Sequence, residues 1–281
     1  MKRQFQLVDV FSDRPFYGNP LAVVFDAGYL ETEDMQRITR WLNLSETTFL
    51  LPPTTDEADY RVRIFTLERE LPFAGHPTLG TCHAWLRAGR RSRDGTTVVQ
   101  ECGAGLLTIR RTDDMLAFAA PPLLRGGPVE DEKLAEIAAV LRIRREDIVD
   151  ANWVDNGPGW IAVLLESAQA VLDIDPARSH ENRIDVGVVG PHEPGEPSAF
   201  ELRALFTDHE GAIREDPVTG SLNASVAQWL LDSGRAKAPW VATQGRRLDR
   251  AGRIEIDRDS DGTVWIGGKT CTLFEGSCAF E

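Results

Sequence analysis

Apolar and polar residues alternate with a period of two in seven stretches: 4–10, 60–66, 96–102, 106–111, 199–206, 253–257 and 263–267. That is the signature of half-buried β-strands. Between them the period changes to that of a helix. Residues 32–43 place Met35, Ile38 and Trp41-Leu42 on one face, with Thr32 as cap and Glu33 and Asp34 in the first turn. A second helix runs from about Glu130 to Leu141 on Leu134, Ile137, Ala138 and Leu141. A third opens near Pro77, a residue suited to a first turn, and continues through Leu79, Cys82 and Trp85-Leu86. A fourth begins near Ser221, passes through Leu222, Val226 and Trp229-Leu230, and stops at Gly234.

Gly75 and Gly220 each lead a helix that ends in Trp-Leu, an internal echo with one residue of difference in spacing. The echo predicts two similar halves, each a sheet wrapped around one helix, with the two helix N-termini facing a shared cleft. Proline and glycine concentrate at Ala119-Ala120-Pro121-Pro122 and Arg125-Gly126-Gly127-Pro128, which places the boundary between residues 1–120 and 121–281. Gly190 to Pro197 reads as a surface loop. At 281 residues the chain has length for two such units.

Composition narrows the field without choosing a function. A net charge of −13 argues against a nucleic-acid-binding surface and against attraction to anionic membranes. No run approaches the length of a membrane span, and Met1 to Phe11 lacks the apolar core of a signal peptide. The four cysteines, at 82, 102, 271 and 278, form no C-x-x-C pair and have no histidine at metal-ligand spacing. They read as small buried hydrophobes in a reducing cytoplasm.

Three short stretches carry the candidate chemistry: Leu44-Ser45-Glu46-Thr47-Thr48-Phe49, Ala74-Gly75-His76-Pro77-Thr78 and Glu215-Asp216-Pro217-Val218-Thr219-Gly220-Ser221. The last two open helices, whose free N–H groups and positive dipole ends hold anions. Taken alone, Glu46 is first a solvent-facing glutamate; at the mouth of an apolar run it becomes a partly desolvated proton shuttle with a raised pKa. His76 is either a capping or core histidine or a neutral imidazole relaying protons, and Gly75 beside it permits close backbone approach to a ligand. Asp216 either initiates an Asp-Pro turn, with Thr219 or Ser221 as helix cap, or polarises a site whose amides bind a carboxylate. Asn19, in Tyr17-Gly18-Asn19-Pro20, reads as a turn residue that could also reach a ligand. No phosphate-binding glycine loop and no G-x-S-x-G elbow is present.

Together with Val8-Asp9-Val10-Phe11, Gly18-Asn19-Pro20-Leu21-Ala22-Val23, Arg63-Ile64-Phe65-Thr66 and Leu71-Pro72-Phe73, these motifs resemble the phenazine-biosynthesis (PhzF-like) isomerase family in order and collinear spacing. The resemblance implies an α+β, diaminopimelate-epimerase-like fold of two barrel-like halves, whose last strand can return to the first half. It implies a homodimer that needs no cofactor or metal and acts on a small anionic substrate. By matching motif, Glu46 would be the acid–base, His76 and Asp216 would protonate or orient the substrate, and Gly75, Gly220 and Ser221 would bind its carboxylate. Epimerases of this fold use a cysteine from each half. Here the corresponding turns carry His76 and Ser221, which favours a one-carboxylate shuttle. The namesake substrate is trans-2,3-dihydro-3-hydroxyanthranilate. The alternatives are a racemase or epimerase of an amino-acid-like substrate, or a binding protein without turnover. Segment 150–190, with Trp153 and Trp160, shows no recognisable pattern but could contact the outer part of a ligand.

Overall fold

The computed structural model describes residues 2–92, 94–112 and 114–279. The chain forms two compact units, Met1–Ala119 with Gly267–Glu281, and Ala120–Ile266. In chain order the first contributes β1 (Lys2–Val10), β2 (Asn19–Val24), α1 (Thr32–Leu42), β3 (Glu46–Leu51), β4 (Tyr60–Thr66), β5 (Glu70–Leu71), α2 (Gly75–Arg87), β6 (Thr97–Cys102), β7 (Gly105–Arg111) and β8 (Leu116–Ala119). The second contributes β9 (Arg125–Pro128), α3 (Asp131–Leu141), β10 (Asp150–Asp155), β11 (Ile161–Leu164), α4 (Ala168–Asp173), β12 (Asp185–Pro191), β13 (Phe200–Thr207), β14 (Ile213–Asp216), α5 (Gly220–Asp232), β15 (Trp240–Gln244) and β16 (Gly252–Arg258). The unit boundary falls within β17 (Val264–Gly268), and β18 (Thr270–Ala279) pairs with β1 in the first unit.

The two units share one topology. In the first, β1 runs antiparallel to β2, β2 parallel to β3, β3 antiparallel to β4, and β4 parallel to β6, which pairs antiparallel with β7. In the second, β10, β11, β12, β13, β15 and β16 repeat those relations in the same order. Short β5 and β14 each fold back antiparallel on the strand before them, immediately upstream of α2 and α5. This is the sheet-dominated α+β architecture that the echo around Gly75 and Gly220 predicts.

Each sheet is held by a helix buried nearly all round. In α2 residues Gly75 to Cys82 are all buried, and in α5 so are Gly220 to Ala227. Neither sequence carries the polar stripe that a surface helix needs, which is why both lie inside their sheets. The fit is tight: a Cβ on Gly80 of α2 would sit 2.6 Å from Leu21 Cδ2 of β2 and 2.9 Å from Val10 Cγ2 of β1. On the outer face of the first sheet, α1 packs Met35 against Val24, Phe49 and Phe65. Strands β2 and β3 are therefore covered on both faces and show nearly continuous burial rather than alternation. In the second unit α3 and α4 supply the matching cover, with Leu134, Ile137 and Val171 meeting Val163, Val186 and Val188.

Several local expectations need correction. Trp41 is not on the buried face of α1 but 83% exposed. At about 100° per residue the buried stripe is Met35, Ile38, Thr39 and Leu42, and Trp41 lies on its flank. The cap position of α1 is Glu31, without a side-chain hydrogen bond, while Thr32 Oγ1 accepts from Arg63. The Arg125–Pro128 segment is no linker: it is β9, paired with β10. Of the cysteines only Cys82 is fully buried; the other three are half-buried, and all four are free. No helix among the described residues is long and apolar enough to cross a membrane.

Gly80→Ala should destabilise the protein by about 1–3 kcal/mol through overpacking, partly offset by its gain in helix propensity. In a urea-unfolding double-mutant cycle, Gly80→Ala combined with Leu21→Ala should cost less than the two separate losses together, because the new methyl group occupies space vacated by the leucine.

Candidate active site

In the first unit the strand period brings the predicted residues together. Asn19 and Leu21 share one face of β2, and Glu46, which opens β3, is the register partner of Leu21. That face meets α2, as the Leu21–Gly80 approach shows. Asn19 is placed by the connection before it: the buried Asp9 carboxylate accepts the N–H groups of Tyr17 and Gly18 at 3.1 Å each. Gly18 is obligatory there, since a Cβ would stand 2.2 Å from the Val10 carbonyl oxygen. Asn19 is thus less a turn residue than the first buried side chain of β2.

Asn19 Nδ2 lies 3.3 Å from His76 Nδ1, and His76 Nε2 lies 3.4 Å from Glu46 Oε2. The second distance is within ion-pair reach and long for a hydrogen bond. Burial pushes the His76 imidazole down to about 3, so the ring is neutral near pH 7. An amide nitrogen can only donate, so Nδ1 is the accepting nitrogen and the ring proton sits on Nε2, facing the Glu46 carboxylate. The Glu46 side chain retains 16% of its surface and His76 4%. No side chain caps the first turn of α2, which leaves the N–H groups of Gly75 and His76 at a positive helix end beside them.

The second unit builds its turn from different materials. Glu215 belongs to the framework: Arg203 grips its carboxylate bidentately at 3.1 and 2.8 Å and donates to the Val171 and Ile174 carbonyls. Asp216, its neighbour, accepts the Thr219 hydroxyl at 2.5 Å. The fully buried Gln244 ties the turn down with four bonds. Its amide donates to Asp216 O at 3.1 Å and Thr219 Oγ1 at 3.0 Å, and accepts from Thr219 N at 3.0 Å and Asn223 Nδ2 at 2.8 Å. Thr219 occupies the cap position of α5 without capping it: its hydroxyl donates to Asp216 and accepts from the Gln244 amide.

Sequence reasoning missed the loop that supports Ser221. Asp155 Oδ1 accepts the N–H groups of Gly157 and Gly159 at 2.7 and 2.8 Å, and both glycines have positive φ. This tight turn presents Asn156 Nδ2 to the Ser221 carbonyl at 2.8 Å and Trp160 Nε1 to Ser221 Oγ at 3.1 Å. The dense Asp155-Asn156-Gly157-Pro158-Gly159 composition was the available signal. Trp153, singled out with Trp160, is engaged otherwise: Arg125 stacks on its ring and Glu130 accepts its indole N–H.

Around Cys82, burial raises the thiol to about 12, so it is no thiolate at neutral pH. Among the described residues no group of three or more His, Cys, Asp or Glu side chains is disposed to hold a metal ion.

Residues 8–276 match the family described as phenazine biosynthesis-like protein (PhzC-PhzF). The chain is 34% identical to antisense-enhancing sequence 1 of Schizosaccharomyces pombe, over 98% of each chain. It is 35% identical to the trans-2,3-dihydro-3-hydroxyanthranilate isomerase of Pseudomonas aeruginosa, over 92% of this chain and 88% of that one. Among solved structures, a predicted epimerase from Pseudomonas aeruginosa superposes with a TM-score of 0.81 at 27% identity, covering 99% of this chain and 100% of that one.

Arg203→Ala should cost about 3–5 kcal/mol in unfolding free energy by leaving Glu215 buried without its cation. Acidification should also destabilise the protein. His76 titrates at about 3 when folded and near 6.5 when unfolded, so between those values the unfolded chain binds the extra proton. The contribution is fully present above about pH 6.5 and is lost on acidification by up to about 1.4 kcal/mol per pH unit. Urea unfolding between pH 7.5 and 4.5 should show that slope, and His76→Asn should flatten it.

Proposed function

The chain belongs to the phenazine biosynthesis-like family and is an isomerase, and we propose that it moves a proton between two carbons of a small, cyclic carboxylate with Glu46 as the acid–base. The observation that carries this reading is the chain of contacts Asn19–His76–Glu46. A carboxylate that retains a little exposure can take a proton from carbon and return it elsewhere on the same substrate face. The neutral His76 Nε2–H opposite it can stabilise developing negative charge without competing as an acid. One placed acid–base group supplies about 10²–10⁴-fold, so fixed dipoles must contribute the remainder. The first-turn amides of α2 at Gly75 are suited to that task, and Gly220 and Ser221 at the start of α5 are suited to binding the carboxylate. Asp216, steadied by Thr219, would accept a hydrogen bond from the substrate. No cofactor is required for this chemistry, since the proton removed from one carbon is balanced by one that Glu46, exchanging with solvent, delivers to another.

Similarity to the Pseudomonas aeruginosa isomerase supports trans-2,3-dihydro-3-hydroxyanthranilate as the first substrate to test. One ring carbon would lose a proton, another would gain one, and the enol so formed would become a ketone. A racemase or epimerase reading is favoured by one observation, the likeness to a solved predicted epimerase. That reaction would return the proton to the carbon it left.

Proton NMR in deuterated water with trans-2,3-dihydro-3-hydroxyanthranilate tests the proposal. Deuterium should appear at a new ring carbon with wild type, and Glu46→Gln should slow this by at least about 10²-fold. Equal rates for both would remove Glu46 from its role. Label returned to the original carbon would establish epimerisation instead, and no exchange with wild type would exclude this substrate.

A further inference from the structure

Asn156 is held in one orientation by a contact that leaves half of its amide unused. The Ser221 carbonyl can only accept, so the group 2.8 Å from it is the Asn156 NH₂. That assigns the other end of the amide as oxygen. Oδ1 is buried, on a residue only 9% exposed, and has no hydrogen-bond partner among the described residues. A buried acceptor left open is uncommon in folded proteins, and the turn around it is built with care: Asp155 fixes both glycines that reverse the chain. The same turn supplies Trp160, whose indole N–H occupies a lone pair of Ser221 Oγ. Accepting there leaves the Ser221 hydroxyl its own proton to donate. A single residue at the start of α5 therefore has a donating hydroxyl on its side chain and an open acceptor docked on its backbone.

We infer that Asn156 is a substrate-recognition residue, whose Oδ1 accepts a hydrogen bond from an amino or hydroxyl group on the carbon next to the one bearing the substrate's carboxylate. The inference rests on the reading above that Ser221 and Gly220 hold that carboxylate. It adds that the ligand class is narrower than small carboxylates: it is acids with a neighbouring hydrogen-bond donor. A ligand with the donor gives Oδ1 the partner that it lacks in the free protein, and a ligand without one leaves it as it was, so discrimination follows from the bond gained.

Calorimetric titration with two aromatic acids differing only in the neighbouring amino group, 3-hydroxyanthranilate and 3-hydroxybenzoate, tests it. Wild type should prefer the amino acid by about tenfold or more, the scale of one buried hydrogen bond. In Asn156→Ala the preference should fall to within about twofold, with the affinity for 3-hydroxybenzoate nearly unchanged. Trp160→Phe, which frees the Ser221 hydroxyl, should weaken both acids alike and leave the preference in place. A preference that survives in Asn156→Ala overturns the inference while leaving the carboxylate site intact, and points to Asp216 as the discriminating acceptor. Binding of neither acid by wild type overturns both the carboxylate reading and this one. Should the alanine variant fold poorly, the wild-type comparison still decides, because equal affinity for the two acids overturns the inference.

Discussion

A helix enclosed by a sheet has to begin inside the protein, and its first-turn N–H groups then have no water to meet. Both α2 and α5 face this constraint, and neither start is closed by a side-chain cap. Ala74 has no side-chain oxygen to offer, and the Thr219 hydroxyl donates to Asp216 and accepts from Gln244. Elsewhere the protein is generous with buried polar partners. Gln100 on β6 accepts the Tyr60 hydroxyl and donates to Thr78 of α2, and Gln244 on the topologically matching β15 makes four bonds to the turn and helix around Thr219. Those glutamines fix each helix within its sheet while leaving the first turn open. The sheets, the glycine contacts and the buried amides all serve to hold two uncapped positive helix ends in place.

The adjacent acids Glu215 and Asp216 show how charge is divided around such an end. Both stand at the close of β14, yet Arg203 takes Glu215 into the framework by a two-pronged bond backed by two carbonyl contacts. Asp216 accepts the Thr219 hydroxyl. A bidentate guanidinium fixes a carboxylate in place, whereas a single hydroxyl donor orients it. In the first unit the equivalent economy is a neutral histidine: burial keeps the ring uncharged, and Asn19 selects its tautomer.

Much of this was legible in the sequence, and the gaps have physical causes. Half-buried strands such as β4 and β16 declared themselves by alternation. Strands β2 and β12 did not, because helices cover their outer faces and remove most of the polar positions. The internal echo at Gly75 and Gly220 was visible because buried central helices tolerate few residue types. Trp41 misled because its size suggested burial where its angular position on α1 did not. The His76 and Glu46 motifs were readable as local words, while their meeting depends on the parallel pairing of Leu21 with Glu46. Asp9 and Asn156 were missed because their partners lie 8 or more residues away, and only the folded chain reveals what they hold.

Duplicated topology with unlike residues at the two helix starts carries a consequence for how such a protein diversifies. The first unit's turn places an imidazole next to a carboxylate, and all three polar groups of that set sit on regular elements, β2, β3 and α2. The second unit's turn leans on the loop at 155–160, whose backbone is set by one aspartate and two glycines. Strands and helices hold geometry against sequence change better than loops do. On the proposed reading, proton transfer is therefore assigned to the rigid set and ligand choice to the loop. Substitutions between Asp155 and Trp160 can alter which donor group is recognised without disturbing Glu46, His76 or the strands that align them.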